Sequence, residues 1–225
     1  MTQATGPLAG LKVIELGQLI AGPFAAKTLA DFGAEVIKIE APGSGDPLRQ
    51  WRLLKDGTSV WWQVQSRNKK SVSMDLRRPE AQEIIRRLVK EADVLIENFR
   101  PGTLEGWGLG WEELHAINPG LIMLRISGYG QTGPYRDRPG FGVIGEAMGG
   151  LRYLTSEPGR TPVRVGVWVV GLNLLLNLTL IWPFAEVGLI FVDSAEPGRF
   201  ARAMISFADL ESVVRALMNE LHGTV

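Results

Sequence analysis

The sequence contains no cysteine and only two histidines, His115 and His222. Without cysteine there is no disulfide framework, thiol nucleophile or thiolate metal site. Two histidines are too few for a multi-histidine metal centre, so no bound metal is predicted. His115 neighbours two glutamates in a short predicted helix, and His222 lies in a predicted C-terminal helix. Neither is expected to be catalytic.

An excess of charge of either sign is also missing. The 225 residues include 24 Lys plus Arg and 24 Asp plus Glu, so the formal net charge is zero. Because proteins that bind nucleic acid usually carry a basic surface, no nucleic-acid partner is predicted. The start of the chain is polar and lacks the charged-then-apolar pattern of a signal peptide. A cytoplasmic protein is therefore expected.

Short apolar segments alternate with segments of helical periodicity through the first two-thirds of the chain. Strands are predicted at residues 11–16, 35–39, 71–76, 93–97 and 121–127, and helices at residues 24–32, 79–92 and 111–117. In the second helix, apolar residues recur every three or four positions and charged residues occupy the other face. This alternation predicts an α/β fold with a largely parallel sheet covered on both faces.

Four loops that follow predicted strands are rich in glycine, proline and polar residues. They comprise residues 17–23, 40–48, 98–102 and 128–142. Ligands of α/β proteins bind in the crevice at the carboxyl ends of the strands, which is where these loops meet. The first loop contains a predicted turn at residues 21–24, with the sequence Ala-Gly-Pro-Phe. The pattern favours a binding crevice over ordinary connections.

Residues 128–133 match the dinucleotide motif G-x-G-x-x-G and follow a predicted strand. That motif also requires a helix to begin at the loop, because the helix N-terminus holds the pyrophosphate. Residues 134–140 are typical of a loop instead, and the acidic residue at the expected distance, Glu146, lies in a helix-like stretch. A nicotinamide or flavin site is therefore rejected. No P-loop motif occurs.

Asn98, Phe99 and Arg100 follow the predicted fourth strand. An amide, an aromatic ring and a guanidinium group can together bind a flat base or a phosphate. A strand-ending turn with Phe99 packed inward is the alternative. Arg and Lys at residues 67–70 and 77–78 flank the third strand and form either a cationic rim for phosphates or a solvated surface.

The second loop carries two carboxylates, Glu40 and Asp46. Either can accept a hydrogen bond from a ribose hydroxyl. Capping of a turn by its side chain is the favoured role of Asp46.

Six motifs occur in order along about three-quarters of the chain. They are LAGLKVIELGQLIAGPFAAKTLADFGAEVIKIEAPGSGDP, RNKKSVSMDL, ADVLIENFRPG, GLGWEEL, INPGLIMLRISGYGQTGP and PGFGVIGEAMGGL. Together they resemble the family III coenzyme A transferases, which include formyl-CoA transferase and carnitine CoA-transferase. The resemblance covers residues 8–167.

This resemblance implies a Rossmann-like, doubly wound large domain. It also implies an acyl-CoA donor and a carboxylic acid acceptor as substrates, with no tightly bound cofactor. By motif position, the residues that it places along coenzyme A are Ile20, Ala21, Met74, Asp75, Leu76, Arg77, Asn98, Phe99, Arg100, Gly140, Phe141 and Gly142. Of these, the last three would border the reacting thioester. Ala41 stands where some members have a phosphate-binding arginine.

The resemblance also implies an aspartate nucleophile, which forms an anhydride and then an aspartyl-CoA thioester. In the family this aspartate closely follows a Pro-x-Arg-x-Gly-Val motif, here residues 162–167. Counting onward without a gap places Gly171 at the aspartate position. No catalytic residue is therefore assigned, and we expect the chain as written to be unable to form the covalent intermediate.

The sequence changes character at the same point. Residues 165–185 are uncharged and long enough to span a bilayer, although a buried apolar segment is favoured. Beyond them, residues 189–192 are strand-like and residues 207–221 form a predicted amphipathic helix. Two regions are thus expected: a CoA-transferase-like domain at 1–167 and an atypical segment at 168–225. Family members are nearly twice as long and form interlocked dimers, so the chain resembles a truncated member.

Three functions are compatible with these features. The leading one is a CoA-transferase whose CoA-binding half is intact and whose nucleophile is missing. The second is a non-catalytic acyl-CoA-binding or interaction protein. The third is an α/β protein attached to a membrane through residues 165–185.

Overall fold

A six-stranded sheet forms the centre of the fold. In the computed structural model, residues 6–148, 151–154, 156–157, 159–161 and 191–193 are described. The strands are β1 (Lys12–Glu15), β2 (Glu35–Glu40), β3 (Leu54–Lys55), β4 (Thr58–Ser59), β5 (Lys69–Ser73), β6 (Val94–Glu97), β7 (Ile122–Arg125) and β8 (Phe191–Asp193). Strands β3 and β4 form a separate antiparallel hairpin, and the other six form the sheet.

The sheet has the order β5-β2-β1-β6-β7-β8. Its first five strands are parallel, and β8 pairs antiparallel with β7 at one edge. Counted along the chain, the parallel strands lie in the order third, second, first, fourth, fifth, which is the Rossmann arrangement. The predicted α/β fold with a mostly parallel sheet is confirmed. The strand expected at residues 189–192 is present as β8.

Helices cover both faces of the sheet. They are α1 (Ala21–Asp31), α2 (Val60–Gln65), α3 (Pro79–Val89), α4 (Thr103–Gly106), α5 (Trp111–Ile117), α6 (Gly142–Met148) and α7 (Leu151–Leu154), with a 3-10 helix at Pro47–Gln50. Because side chains alternate along a strand, Val13 packs with the alanines of α1 while Ile14 packs with α3 and α5 on the opposite face. The predicted double winding follows from these two cores.

Two boundaries near the strand ends differ from the sequence prediction. The predicted turn at residues 21–24 is instead the first turn of α1, and the N–H of Phe24 donates to the carbonyl of Ile20 at 2.8 Å. Pro23 is tolerated there because N–H groups of a first turn lack helical partners. Strand β5 spans Lys69–Ser73 rather than residues 71–76. It ends where its pairing with β2 ends, at Glu40 opposite Ser73.

The connection between β2 and β5 holds structure that the sequence reading did not assign. The hairpin of β3 and β4 turns at Asp56 and Gly57, both with positive φ, as a two-residue Asp-Gly turn requires. Ser59 then caps α2, accepting from the N–H of Trp62. Trp62 packs against Leu48 in a small buried cluster beside the main core. This cluster includes Ile20 and contacts Leu19, so the connection packs against the loop after β1.

No helix among the described residues is long and apolar enough to span a membrane. The apolar segment at residues 165–185, the expected helix at 207–221 and Gly171 all lie outside the described residues.

Candidate functional site

A crevice is expected where the strand order reverses. The chain leaves β1 toward β2 and β5 on one side and continues through β6 and β7 on the other, so the reversal falls between β1 and β6. In open α/β sheets, ligands bind at the carboxyl ends of the strands at this point. The loop after β1 and the loop after β6, which begins with Asn98, meet there.

The two loops are joined by the side-chain amide of Asn98. Its Oδ1 accepts from the N–H of Gln18 at 2.6 Å, and its Nδ2 donates to the carbonyl of Gln18 at 2.8 Å. Gly17 and Gly22 make room for this contact, since a Cβ on Gly17 would lie 2.7 Å from Gly22 Cα and 3.1 Å from Asn98 Oδ1. Glycine is therefore required at a point of close backbone approach.

A cleft of about 310 Å³ opens beside these loops. It lies over the carboxyl ends of β1, β2 and β5 and reaches the loop after β6. Its lining residues are Leu16, Gln18, Ile39, Glu40, Ala41, Met74, Asp75, Leu76, Arg77, Phe99 and Trp107. Most are apolar, and a few polar groups stand at the edge, which is the composition of a small-molecule site.

The aromatic side of the cleft is formed by Phe99 and Trp107. Their rings meet edge to face, with centroids 5.4 Å apart, and both pack against the main core. Aromatic pairs of this geometry hold each other in a defined orientation. The cleft thus offers a fixed aromatic surface to a flat ligand.

The charged side of the cleft is formed by Arg77 and Asp75. The Arg77 side chain is 77% exposed, and its guanidinium donates to both carboxylate oxygens of Asp75, at 2.8 and 2.9 Å. These hydrogen bonds from Arg77 hold the pKa of Asp75 below its ordinary value. An exposed pair of this kind exchanges partners at small energetic cost, so Arg77 is available to an anionic ligand.

The structure brings part of the predicted site together in this cleft. Five of the twelve residues predicted along coenzyme A line it: Met74, Asp75, Leu76, Arg77 and Phe99. Asn98 does not line it and instead joins the two loops behind it. Ile20 is buried against Leu48 and Trp62, and Ala21 is the first residue of α1. Arg100 is exposed and directly follows Phe99 in the loop after β6.

The other three predicted residues, Gly140, Phe141 and Gly142, lie on the long loop after β7. The backbone of Gly140 packs directly against that of Gly128, leaving no space for a side chain at either position. Phe141 is 72% exposed, and α6 begins at Gly142. No helix begins within residues 128–140, as expected from the loop predicted at residues 134–140.

The carboxylates of the second loop serve the protein itself. Glu40 accepts from the guanidinium of Arg49 at 2.7 and 2.8 Å, from Ser71 and from the N–H of Asp46. Burial raises the pKa of Glu40, but these hydrogen bonds outweigh it and lower the pKa to about 2. Asp46 caps the 3-10 helix by accepting from Leu48, so the predicted capping role is confirmed.

The cations expected to flank the third predicted strand, now β5, as a phosphate-binding rim or a solvated surface largely pair with other groups. Arg67 pairs with Asp31, and Lys70 pairs with Glu35. Lys69 is buried, with a side chain 2% exposed, and binds Glu15 and the carbonyl of Pro23. Because β5 begins two residues earlier than predicted, Lys69 becomes part of the sheet. Arg77 is the member of this set that reaches the cleft.

Several residues of the cleft were missed in the sequence reading, notably Gln18 and Trp107. Gln18 lies in the loop after β1, one of the four loops predicted to form the crevice, but no sequence pattern distinguishes it from its neighbours in that loop. Trp107 lies in a glycine-rich stretch after α4, ahead of α5, and reaches the cleft through packing. Among the described residues, no group of three or more acidic or histidine side chains is placed to hold a metal ion.

Comparison with known proteins finds CoA-transferases by sequence. The profile of the family described as CoA-transferase family III matches residues 8–172. The succinyl-CoA–D-citramalate CoA-transferase of Chloroflexus aurantiacus is 62% identical over 162 residues, covering 72% of this chain and 40% of that protein. The succinate–glutarate CoA-transferase of Agrobacterium fabrum is 37% identical over 220 residues, covering 95% of this chain and 54% of that protein.

Solved structures agree with the sequence matches. A CAIB/BAIF family protein from Brucella suis superimposes with a TM-score of 0.68 and 41% identity, over 76% of this chain and 50% of that one. The hypothetical protein Rv3272 from Mycobacterium tuberculosis superimposes with a TM-score of 0.67 and 37% identity, over 78% and 51% of the two chains. The chain therefore spans about 40–54% of the length of these curated and solved relatives.

Proposed function

Because the chain belongs to CoA-transferase family III, we propose that it is the coenzyme A-binding N-terminal part of a CoA-transferase. The observation that carries the proposal is the cleft at the reversal of strand order. It combines an aromatic wall, apolar sides and one exposed guanidinium, Arg77, at its edge. Adenine is flat and apolar on its faces, and the phosphates of coenzyme A are anionic, so the two halves of the cleft suit the two halves of the ligand.

In this arrangement the adenine lies against Phe99 and Trp107, with Met74 and Leu76 on the opposite side. Arg77 leaves Asp75 and binds a phosphate, since an arginine–phosphate pair with two charges and two hydrogen bonds is stronger than an exposed arginine–carboxylate pair. Asn98 holds the loop against which the ligand rests. Ile20 and Ala21 set the start of α1 at the same edge, and Arg100 offers a second exposed cation nearby.

The substrates proposed are an acyl-CoA donor and a carboxylic acid acceptor. The related proteins are named for succinyl-CoA with D-citramalate and for succinate with glutarate, so a dicarboxylic acid is the class we favour for the acceptor. We place the thioester end near Gly140, Phe141 and Gly142. Glycine loops present backbone N–H groups that can stabilise an oxyanion during acyl transfer.

In our proposal, this chain lacks the nucleophilic carboxylate that turnover requires. The position that the family resemblance assigns to the nucleophilic aspartate is Gly171, which has no carboxylate. The chain also spans about 40% of the citramalate-specific relative. We therefore propose a cytoplasmic family member whose described domain binds acyl-CoA and in which residue 171 supplies no nucleophile.

Calorimetric titration of the chain with CoA, 3′,5′-ADP and NAD tests the binding proposal. We expect CoA and 3′,5′-ADP to bind and NAD to bind far more weakly, because the loop that matches the dinucleotide motif, residues 128–133, is not followed directly by a helix that could hold a pyrophosphate. Absence of heat with CoA, or equal affinity for NAD, would contradict the proposal. Replacement of Trp111, an aromatic residue of α5 that does not line the cleft, is the matched control for Phe99 variants.

Mass spectrometry after incubation with succinyl-CoA, with and without hydroxylamine, tests the catalytic half of the proposal. We expect no hydroxylamine-sensitive adduct on any carboxylate. An adduct would show that this chain does supply a nucleophile. Fractionation of cells into cytosol and membrane tests the expected location, and recovery of the chain in the membrane fraction would favour the anchored alternative.

A further inference from the structure

A group of buried charged side chains lies beneath the cleft, and none of them is a proposed contact of coenzyme A. Lys38 of β2 is 1% exposed, and its Nζ lies 2.8 Å from Glu15 Oε1, from Asp46 Oδ2 and from the carbonyl of Gly17. Glu15 stands directly opposite Lys38 in the parallel pairing of β1 and β2. The three charged side chains are each no more than 1% exposed.

A second lysine completes the group. Lys69 of β5 lies 2.7 Å from Glu15 Oε2 and donates to the carbonyl of Pro23, in the first turn of α1, at 2.7 Å. Two lysines and two carboxylates therefore balance in charge. Burial tends to lower the pKa of Lys38, but Glu15 and Asp46 outweigh burial and raise it, so Lys38 carries its charge. We call Glu15, Lys38, Asp46 and Lys69 the buried quartet.

Stability alone does not account for such a group. Taking charges out of water costs free energy that pairing only offsets, and buried ion pairs are often replaceable by apolar side chains without loss of stability. What distinguishes the buried quartet is where its remaining hydrogen bonds go. They reach backbone groups near the strand ends: the carbonyl of Gly17 and the N–H of Leu19 in the loop after β1, the carbonyl of Pro23 in the first turn of α1, and the N–H of Leu48 in the 3-10 helix.

These backbone contacts flank the cleft on two sides. Gln18, which lines the cleft, stands between Gly17, bound by Lys38, and Leu19, bound by Asp46 at 2.9 Å. Leu19 has a φ of 65°, a left-handed conformation unfavourable for leucine that needs such a partner. The N–H of Asp46 donates to Glu40, which also lines the cleft.

We propose that Lys38 and Asp46 are positioning residues for coenzyme A. Their buried pair holds the loop after β1 and the loop after β2 in the relative placement that forms the cleft. Neither side chain lines the cleft, so both act through Gln18 and Glu40. This inference rests on the proposed function, because the ligand whose affinity they control is coenzyme A.

The main test is Asp46→Asn, which keeps the shape and the Oδ1 acceptor but removes the charge facing Lys38. We expect faster hydrogen exchange at the N–H groups of Leu19 and Leu48 and CoA binding weakened roughly tenfold, a coupling of the size seen between residues of one network. Asp31→Asn is the matched control. It makes the same chemical change at a carboxylate that pairs with Lys27 and Arg67 near the other end of α1.

Lys38→Met serves as the second variant if Asp46→Asn does not fold, and we expect the same two changes from it. Unfolding temperatures are measured for all variants. A structural role alone would lower the unfolding temperature and leave the affinity of the folded protein for CoA unchanged, and that result would overturn the inference. Unchanged exchange at Leu19 and Leu48 in a folded variant would overturn it as well.

The binding proposal and this inference fail in different ways. If the unaltered chain does not bind CoA, the proposed function is overturned and the inference falls with it. If the unaltered chain and Asp31→Asn bind CoA and Asp46→Asn binds equally well, only the inference is overturned. Weakened binding in Asp46→Asn with faster loop exchange supports both.

Discussion

The amide of Asn98 binds both the N–H and the carbonyl of Gln18, at 2.6 and 2.8 Å, across 80 positions of sequence. One side chain thereby reproduces a pair of backbone hydrogen bonds between the two loops at the reversal of strand order. The cleft is bounded by Gln18 on one of these loops and Phe99 on the other. This amide therefore helps to set the separation between Gln18 and Phe99.

Asn98→Ala is expected to lower the free energy of unfolding by about 2 kcal/mol, since it leaves two polar groups without partners. It should also weaken CoA binding. Asn118→Ala is the matched control, because Asn118 lies between α5 and β7, at the opposite end of the sheet, and donates to the carbonyls of Val89 and Ala92. Urea denaturation and calorimetry check both variants. A loss of affinity in Asn118→Ala as large as in Asn98→Ala would contradict the prediction.

Phe99→Leu is expected to weaken CoA binding by about 1 kcal/mol, or roughly fivefold, because an aliphatic side chain cannot stack on adenine as an aromatic ring does. The binding enthalpy should become less favourable. Trp111→Leu removes an aromatic side chain from α5 without touching the cleft, and we expect unchanged affinity. Equal affinity of Phe99→Leu and the unaltered chain for CoA would place the base elsewhere.

Arg77→Met is expected to weaken CoA binding at low salt and to reduce its dependence on ionic strength, because one exposed contact between opposite charges is lost. Asp75→Asn should have the opposite effect, since it removes the carboxylate that Arg77 binds in the free protein. Titration at two salt concentrations measures both. Arg78→Met is the control, because Arg78 is exposed and does not line the cleft.

The carboxyl group of Glu40 is expected to make the free energy of unfolding depend on pH in the acidic range. Its pKa is lowered from 4.5 to about 2 by hydrogen bonds that outweigh the effect of burial. A depressed pKa contributes stability above the unfolded value, and this contribution is lost as pH falls from 4.5 through about 2. The difference in unfolding free energy between the unaltered chain and Glu40→Gln should therefore be largest near neutral pH and shrink below pH 4.5. A difference that stays constant with pH would contradict the assignment.

Lys69 is expected to titrate in the mildly alkaline range. Burial lowers its pKa from 10.5 to about 8, with Lys38 adding to the effect and Glu15 and Asp46 opposing it. Because the folded pKa lies below the unfolded one, burying the charged amine costs stability below pH 8, and this cost is relieved as pH rises from about 8 to 10.5. Carbon-13 NMR of labelled lysines should show one resonance moving near pH 8 that is absent in Lys69→Met.

Much of the fold follows from local patterns. Strand β1, strand β2 and helix α5 were predicted within one residue of their bounds at each end. The two strands are short segments rich in valine and isoleucine, and α5 ends at an Asn-Pro-Gly stop. The motif at Asn98 is predicted to belong to the site because of its place at a strand end, and the structure has it directly after β6. The amide of Asn98 binds Gln18, and Phe99 is the residue of this motif that lines the cleft.

The cleft itself was less accessible to sequence reasoning. Met74 and Leu76 were assigned to a strand but fall in the loop that lines the cleft, because pairing with β2 ends β5 at Ser73. Trp107 reaches the cleft from a glycine-rich stretch with no distinctive spacing. Such contacts depend on which strands are neighbours, and that information lies in the pairing of distant segments.

The sequence by itself determined the family, the alternation of strands and helices and the absence of cysteine chemistry, since each is a property of residue order or composition. Tertiary structure decided which charges are partners. From the sequence, Asp46 is expected to cap a turn, Lys69 belongs to a cationic rim or a solvated surface, and Lys38 has no assigned role. Only the parallel pairing of β1, β2 and β5 brings Lys38 and Lys69 to Glu15, and Asp46 reaches Lys38 from the loop after β2. Buried charges are tolerated only when they are paired, and the fold decides which residues become partners.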